Sequence, residues 1–247
     1  LTTTNIESGG QDSGDGFITI SGGTVVAKTG IGNAYDIAIS GGDIQTAGGD
    51  FAPGIGAVNG IAISGGTIMA KGGASTAGIG SCSHGCVETI RISGGDITAT
   101  GGGPIQFEGE KYGGGAGIGG GYQSFSGVIT ITGGTVKATG GDGGAGIGIG
   151  DDGNGGNITI SGGIVEATGG KNSAGIGGGL YGASCDTLLT GNSLVYAVHG
   201  KNAEFDIGAG LMGQNMHLSL IIEENAAVFF GTNSFAQPYT KTHQRKT

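Results

Sequence analysis

Residues 128–148 read Val-Ile-Thr-Ile-Thr-Gly-Gly-Thr-Val-Lys-Ala-Thr-Gly-Gly-Asp-Gly-Gly-Ala-Gly-Ile-Gly, and their alternation decides the fold. Ile129 and Ile131 flank Thr130, Val136 and Ala138 flank Lys137, and Ala145 and Ile147 alternate with glycines. A period of two with one apolar face is the mark of a half-buried strand. Three such strands, parted by Gly-Gly corners, describe one turn of a β-coil.

The turn recurs. Gly-Gly pairs open at Gly22, Gly41, Gly65, Gly94, Gly133, Gly162 and, in degraded form, Gly191, at spacings of 19, 24, 29, 39, 29 and 29 residues. Self-similarity at this period is the signature of a stacked solenoid, in which neighbouring copies bury a continuous core. Aligning the copies gives columns: Ile18/Ile20, Ile37/Ile39, Ile61/Ile63, Ile90/Ile92, Ile129/Ile131 and Ile158/Ile160 on the first face. Val25, Ile44, Ile68, Ile97, Val136 and Val165 follow on the second, and Ile55, Ile79, Ile118, Ile147, Ile176 and Ile207 on the third.

Parallel crossovers are right-handed almost without exception. The pattern therefore predicts an all-β chain with a single right-handed parallel β-helix of three short strands per rung and seven or eight rungs over 1–235. Residues 1–16 read as a degenerate first rung, 214–235 as a last rung and C-terminal cap, and 236–247 as a tail.

With 63 Gly and 3 Pro in 247 residues, composition without a period would indicate disorder, and the period overturns that reading. Net charge is −9, and all 19 acidic residues precede Ala236 while Lys241, Arg245 and Lys246 lie beyond it. Such a body repels phosphate backbones, which argues against nucleic acid as a partner. No apolar run is long enough for a membrane span. The chain opens Leu-Thr-Thr-Thr-Asn, without methionine or a basic, apolar leader, and reads as a mature or trimmed fragment.

Residues 103–112, Gly-Pro-Ile-Gln-Phe-Glu-Gly-Glu-Lys-Tyr, are an insertion that makes one copy ten residues longer than its neighbours. Insertions in solenoids map to loops on one face, often the binding face. Phe107 and Tyr112 in the insertion, with Tyr122, Phe125 and Tyr181 at the corner after the third strand, form a candidate aromatic strip for sugars, whose C–H faces stack on rings. The plainer reading is that these rings cover glycine-rich corners.

Asp142, Asp151, Asp152 and Asn154 are candidate oxygen ligands for Ca²⁺, in a stretch that is also ordinary turn chemistry. Asp151 or Asp152 with Glu108 or Glu110 would be the acid and base of a glycosidase, although no cluster typical of a lyase cleft is visible. Cys82 and Cys86, in Cys-Ser-His-Gly-Cys, suit a local disulfide, two free thiols or, with His84, a metal half-site. Gly54, Gly78, Gly117, Gly146 and Gly175 fall at the outward register of the third face. They are expected to answer a dihedral demand or to leave a bare surface for a flat partner.

The phrase Ile-Ser-Gly-Gly-x-Val-x-Ala-Thr-Gly-Gly…Ala-Gly-Ile-Gly-Gly-Gly, at 92–121, 131–150 and 160–179, resembles the glycine-rich β-helical repeats of large cell-surface, adhesin-like proteins of Gram-positive gut bacteria. In Ile-Ser-Gly-Gly alone it is also similar to calcium-dependent polysaccharide-binding β-helices. The resemblance implies an extracellular or cell-surface setting and a glycan or host-surface partner, and it assigns no catalytic residue. The leading expectation is a non-catalytic adhesion module that needs no cofactor. The alternatives are a glycan-cleaving enzyme, a structural spacer and an ice-binding surface.

Overall fold

The computed structural model describes residues 2–3, 16–183, 185–213 and 219–231. Among them there is no helix. Parallel pairing joins all but two of the strands into one continuous coiled sheet, and the fold is a parallel β-helix.

The register reproduces the repeat spacing. Ile18 pairs with Ile37, Ile37 with Ile61, Ile61 with Ile90, Ile90 with Ile129 and Ile129 with Ile158. The column continues to Thr187 and then Leu220, so eight first-face segments are stacked. Thr187 stands where the earlier rungs carry isoleucine; its buried hydroxyl donates to the Cys185 carbonyl at 3.1 Å. The second face runs from Val25 to Val228 in the same manner. Ile31 begins the third column, one rung earlier than the repeat motif alone indicates. Together these isoleucines and valines fill a narrow core in which nearly every member is fully buried.

The first six rungs turn their first corner at Gly-Gly, and Gly133–Gly134 illustrates why. A Cβ on Gly133 would lie 2.6 Å from the Ser93 carbonyl oxygen of the rung below, and Gly134 holds a φ of 89°.

The third-face glycines depart from both expectations. Gly146 is buried and its φ is not left-handed. Its missing Cβ would fall 2.6 Å from the Gly175 oxygen and 2.7 Å from the Thr168 nitrogen. The third strand therefore lies directly on the backbone of the second, and the column is interior. No bare face is left for a flat partner there.

Two further corners carry left-handed residues other than glycine. Phe51, Ser75, Asn172 and Asn202 occupy the corner before the third strand, and His84, Gln123, Asp152, Tyr181 and Met212 the corner after it. Backbone bonds stack the second set: His84 N donates to Tyr122 O, Gln123 N to Asp151 O, Asp152 N to Leu180 O and Tyr181 N to Leu211 O. The insertion is an antiparallel hairpin, Ile105–Phe107 against Glu110–Tyr112.

Thr2–Thr3 pairs with Val26–Ala27, while the rest of the expected first rung lies outside the described residues. Leu220–Ile222 and Ala227–Phe230 continue the columns in register; residues 214–218 and the tail from 232 onward are outside the described set. Among the described residues no helix is long and apolar enough to cross a membrane.

Candidate functional site

The hairpin and the two corner columns together bound a cleft of about 620 Å³. Its walls include Lys111 from the hairpin, Asp142, Lys171 and Asn172 from the corner before the third strand, and Tyr122, Asp151, Asp152 and Tyr181 from the corner after it. Backbone bonds hold the two corners together, among them Asp151 N to Gly114 O and Leu180 N to Gly143 O, both 2.9 Å.

A cluster of rings closes one side. Phe51 lies 5.4 Å from Phe107 and 5.2 Å from Tyr112, and Tyr112 lies 5.9 Å from His84 and 5.6 Å from Tyr122, all edge to face. His84 and Tyr122 complete the set at 5.5 Å. Edge-to-face pairs place the positive rim of one ring on the negative face of another, which fixes their relative angle.

Asp151 is the unusual group. Its side chain packs against the backbone of Gly113, where any Cβ would collide with it, and its Oδ1 is buried without a hydrogen-bond partner. Burial, with the neighbouring charge of Asp152, pushes its carboxyl up to about 6, and Lys111 offsets part of this. Burial also raises the Tyr122 hydroxyl, with smaller contributions from Asp152 and Asp151.

Asp152 is held differently. Gln123 Nε2 donates to its Oδ2 at 2.7 Å, Gln123 Oε1 faces His84 Nε2 at 2.9 Å, and His84 Nδ1 meets Ser83 Oγ at 2.9 Å. This relay spans three rungs.

Of the expected strip, Phe107, Tyr112 and Tyr122 join the cluster. Tyr181, 56% exposed, lines the cleft. Phe125 does not: it lies on the strand Phe125–Ile131, paired with Cys86 and Asn154 and 48% exposed. Glu108 occupies the left-handed tip of the hairpin and Glu110 its exposed strand; neither lines the cleft, so the pairing of a hairpin glutamate with Asp151 or Asp152 is not formed.

The calcium set is not assembled either. Asn154 belongs to the strand segment beside Phe125, and two lysines share the cleft with the aspartates. Among the described residues no three His, Cys, Asp or Glu side chains converge on a metal position, which also removes the Cys82–His84–Cys86 half-site. Cys82 and Cys86 are free thiols rather than a disulfide. Cys82 is exposed as a residue, but its sulfur lies 2.5 Å from where a Cβ on Gly85 would sit, and desolvation there raises its pKa. Cys185 is buried and pushed up to about 12 for the same reason.

Phe51, His84 and Gln123 were not singled out for this site by sequence. For His84 and Gln123 the signal was present: His84, Gln123, Asp152 and Tyr181 are separated by 39, 29 and 29 residues, the spacings that align the isoleucine columns.

A family model described as a beta helix repeat matches residues 18–35, 61–84, 129–148 and 158–180. Each match begins at a first-face isoleucine and runs into or through the third strand, in agreement with the observed rung. No curated protein and no solved structure matches the chain.

Proposed function

We propose that this β-helix is a non-catalytic binding or adhesion module, extracellular or on the cell surface, that holds a glycan in the cleft between its two corner columns. The observation that carries the reading is the placement of Tyr122 and Tyr181 on one cleft two rungs apart, ~10 Å along the axis at ~4.8 Å per rung. Lys111, Asp142, Asp152, Lys171 and Asn172 lie around the same cleft, offering both donors and acceptors to hydroxyl groups. Pockets of this kind combine ring surfaces for contact with a few polar groups for orientation. The resemblance to adhesin-like repeats agrees with this assignment and with a glycan-bearing host surface as the partner.

The test is a glycan array followed by calorimetry on each hit. Tyr122→Ala and Tyr181→Ala should each weaken binding at least tenfold with folding intact. An array blank across mucin, plant and microbial glycans would sink the reading.

One observation favours a second reading, a glycan-cleaving enzyme. A partly buried carboxyl pushed up to about 6, Asp151, adjoins a second carboxyl, Asp152, and glycosidases use two carboxyls for acid and base work. New reducing ends released from mixed polysaccharides, and lost in Asp151→Asn, would establish it. A structural spacer would give neither cleavage nor saturable binding.

A further inference from the structure

The first two rungs omit a loop. In later rungs a corner loop separates the third strand from the next first-face strand, as Ser81–Gly85 separates Ile79–Gly80 from Cys86–Ile92. The chain instead runs without a break through Ile31–Ala47 and through Ile55–Ile63. The repeats there are correspondingly short, 19 and 24 residues against 29 or 39.

The omission leaves a hollow of about 510 Å³ over these strands. Phe51, Pro53 and Val58 wall it, and Cys82 of the first corner loop and Cys86 at the start of the strand that follows complete it. Among the described residues no charged side chain lines it. Val58 stands 49% exposed there, and Phe51 holds a φ of 59° at a corner where other rungs place Ser75, Asn172 and Asn202. A bulky side chain in the left-handed region is an outlier that the surrounding structure must enforce. Core packing does not require it, since its neighbours in the column are small or polar. Phe51 also joins the hollow to the cleft: it contacts Tyr112, Tyr112 contacts Tyr122, and Tyr122 lines the cleft.

We propose that the hollow takes the apolar chain of a single-chain glycolipid whose sugar occupies the tyrosine cleft. This rests on the glycan reading of the cleft and names the class of glycan. The ring row forms a continuous wall along which the junction between sugar and chain lies, and the uncharged hollow removes the chain from water.

Alkyl maltosides, kept below the concentrations at which they form micelles, serve as probes, with maltose and sodium dodecanoate as controls. Maleimide labelling of Cys82 and Cys86, followed by mass spectrometry, is the readout. At ten times its Kd, dodecyl maltoside should slow labelling roughly tenfold by mass action, and maltose should not. Affinity should rise roughly fourfold per methylene from octyl to dodecyl until the hollow is full. Val58→Glu, at a half-exposed position, should abolish protection while leaving the unfolding temperature and binding of array oligosaccharides in place.

Unchanged labelling, a flat chain-length series, or protection surviving Val58→Glu would overturn the proposal. Equal protection by dodecanoate would overturn the glycolipid assignment, because the sugar would then contribute nothing. Glycan binding without thiol protection sinks the hollow and leaves the cleft standing; a blank array with chain-dependent protection does the reverse.

Discussion

Gln123 donates its side-chain amide to Asp152 Oδ2 at 2.7 Å, and that bond determines the state of a histidine a further rung away. A carboxylate can only accept, so the Gln123 oxygen must face His84 Nε2, 2.9 Å distant, and that nitrogen must carry a proton. In the neutral ring Nδ1 is left to accept from Ser83 Oγ. Nitrogen-detected NMR should therefore find the Nε2–H tautomer of His84. Gln123→Ala should scramble the tautomers and, by freeing Asp152, weaken glycan binding by about fivefold, the scale of one ordinary hydrogen bond. An unchanged tautomer in the variant would sink the relay.

The Asp151 carboxyl gives a pH signature. Its folded-state pKa is raised to about 6, so its contribution to stability is complete below its unfolded value near 4 and is lost as pH rises through 6. Asp151→Asn carries no such charge. The variant should be more stable than the parent above pH 7, by about 1 kcal/mol once screening on the solvent-facing side is discounted, and should lose that advantage near pH 4. Urea midpoints across pH 4–8 measure the difference. Parallel profiles for the two proteins would contradict the raised value.

Gly146 and Gly103 make a matched pair for the interior glycine column. A Cβ at 146 meets only backbone atoms, the Gly175 oxygen at 2.6 Å and the Thr168 nitrogen at 2.7 Å, none of which can rotate away. A Cβ at 103 has nothing within 4 Å. Gly146→Ala should cost about 3 kcal/mol or block folding, as overpacking against rigid neighbours does. Gly103→Ala should stay within about 0.5 kcal/mol of the parent. Denaturant unfolding of both settles it, and equal stability would refute close approach as the reason for the column.

The solenoid was legible because each core position needs only an apolar side chain at a fixed period. Ile129, Ile131, Val136 and Ile147 state that period in one copy, and the register of the strands repeats it. The glycine column was misread because alternation places Gly146 outward on an ideal strand, whereas the third segment is pinched into a loop in which Ala145 N bonds Ile149 O. Three of the five rings in the cluster, Phe107, Tyr112 and Tyr122, were legible as rare aromatics in or near an insertion. Phe51 was not: its contacts with Phe107 and Tyr112 cross more than fifty residues and depend on where the hairpin folds. Phe125 was overread for the complementary reason, since nearness in sequence to Tyr122 does not bring it to the same face.

The hairpin itself provides the sharpest separation of binding from folding. Its base is already closed by the solenoid: Gly115 N donates to Gly102 O at 2.9 Å, the counterpart of the 2.7 Å bond from Gly144 N to Gly141 O in the next rung. Deleting Ile105–Tyr112 therefore removes no rung-to-rung pairing. It does remove four ring contacts, those of Phe107 and Tyr112 with Phe51 and those of Tyr112 with His84 and Tyr122, and edge-to-face pairs contribute about 0.5–1.5 kcal/mol each. For a chain of this size that lowers the unfolding temperature by roughly 10 °C, at ~2–4 °C per kcal/mol, and leaves the solenoid folded. The same deletion takes Lys111 from the cleft and Tyr112 from its wall, so glycan binding should disappear. Calorimetric unfolding and array binding of the one variant decide the matter. A large loss of thermal stability with binding retained would make the hairpin a cover for the Phe51 corner rather than part of the site.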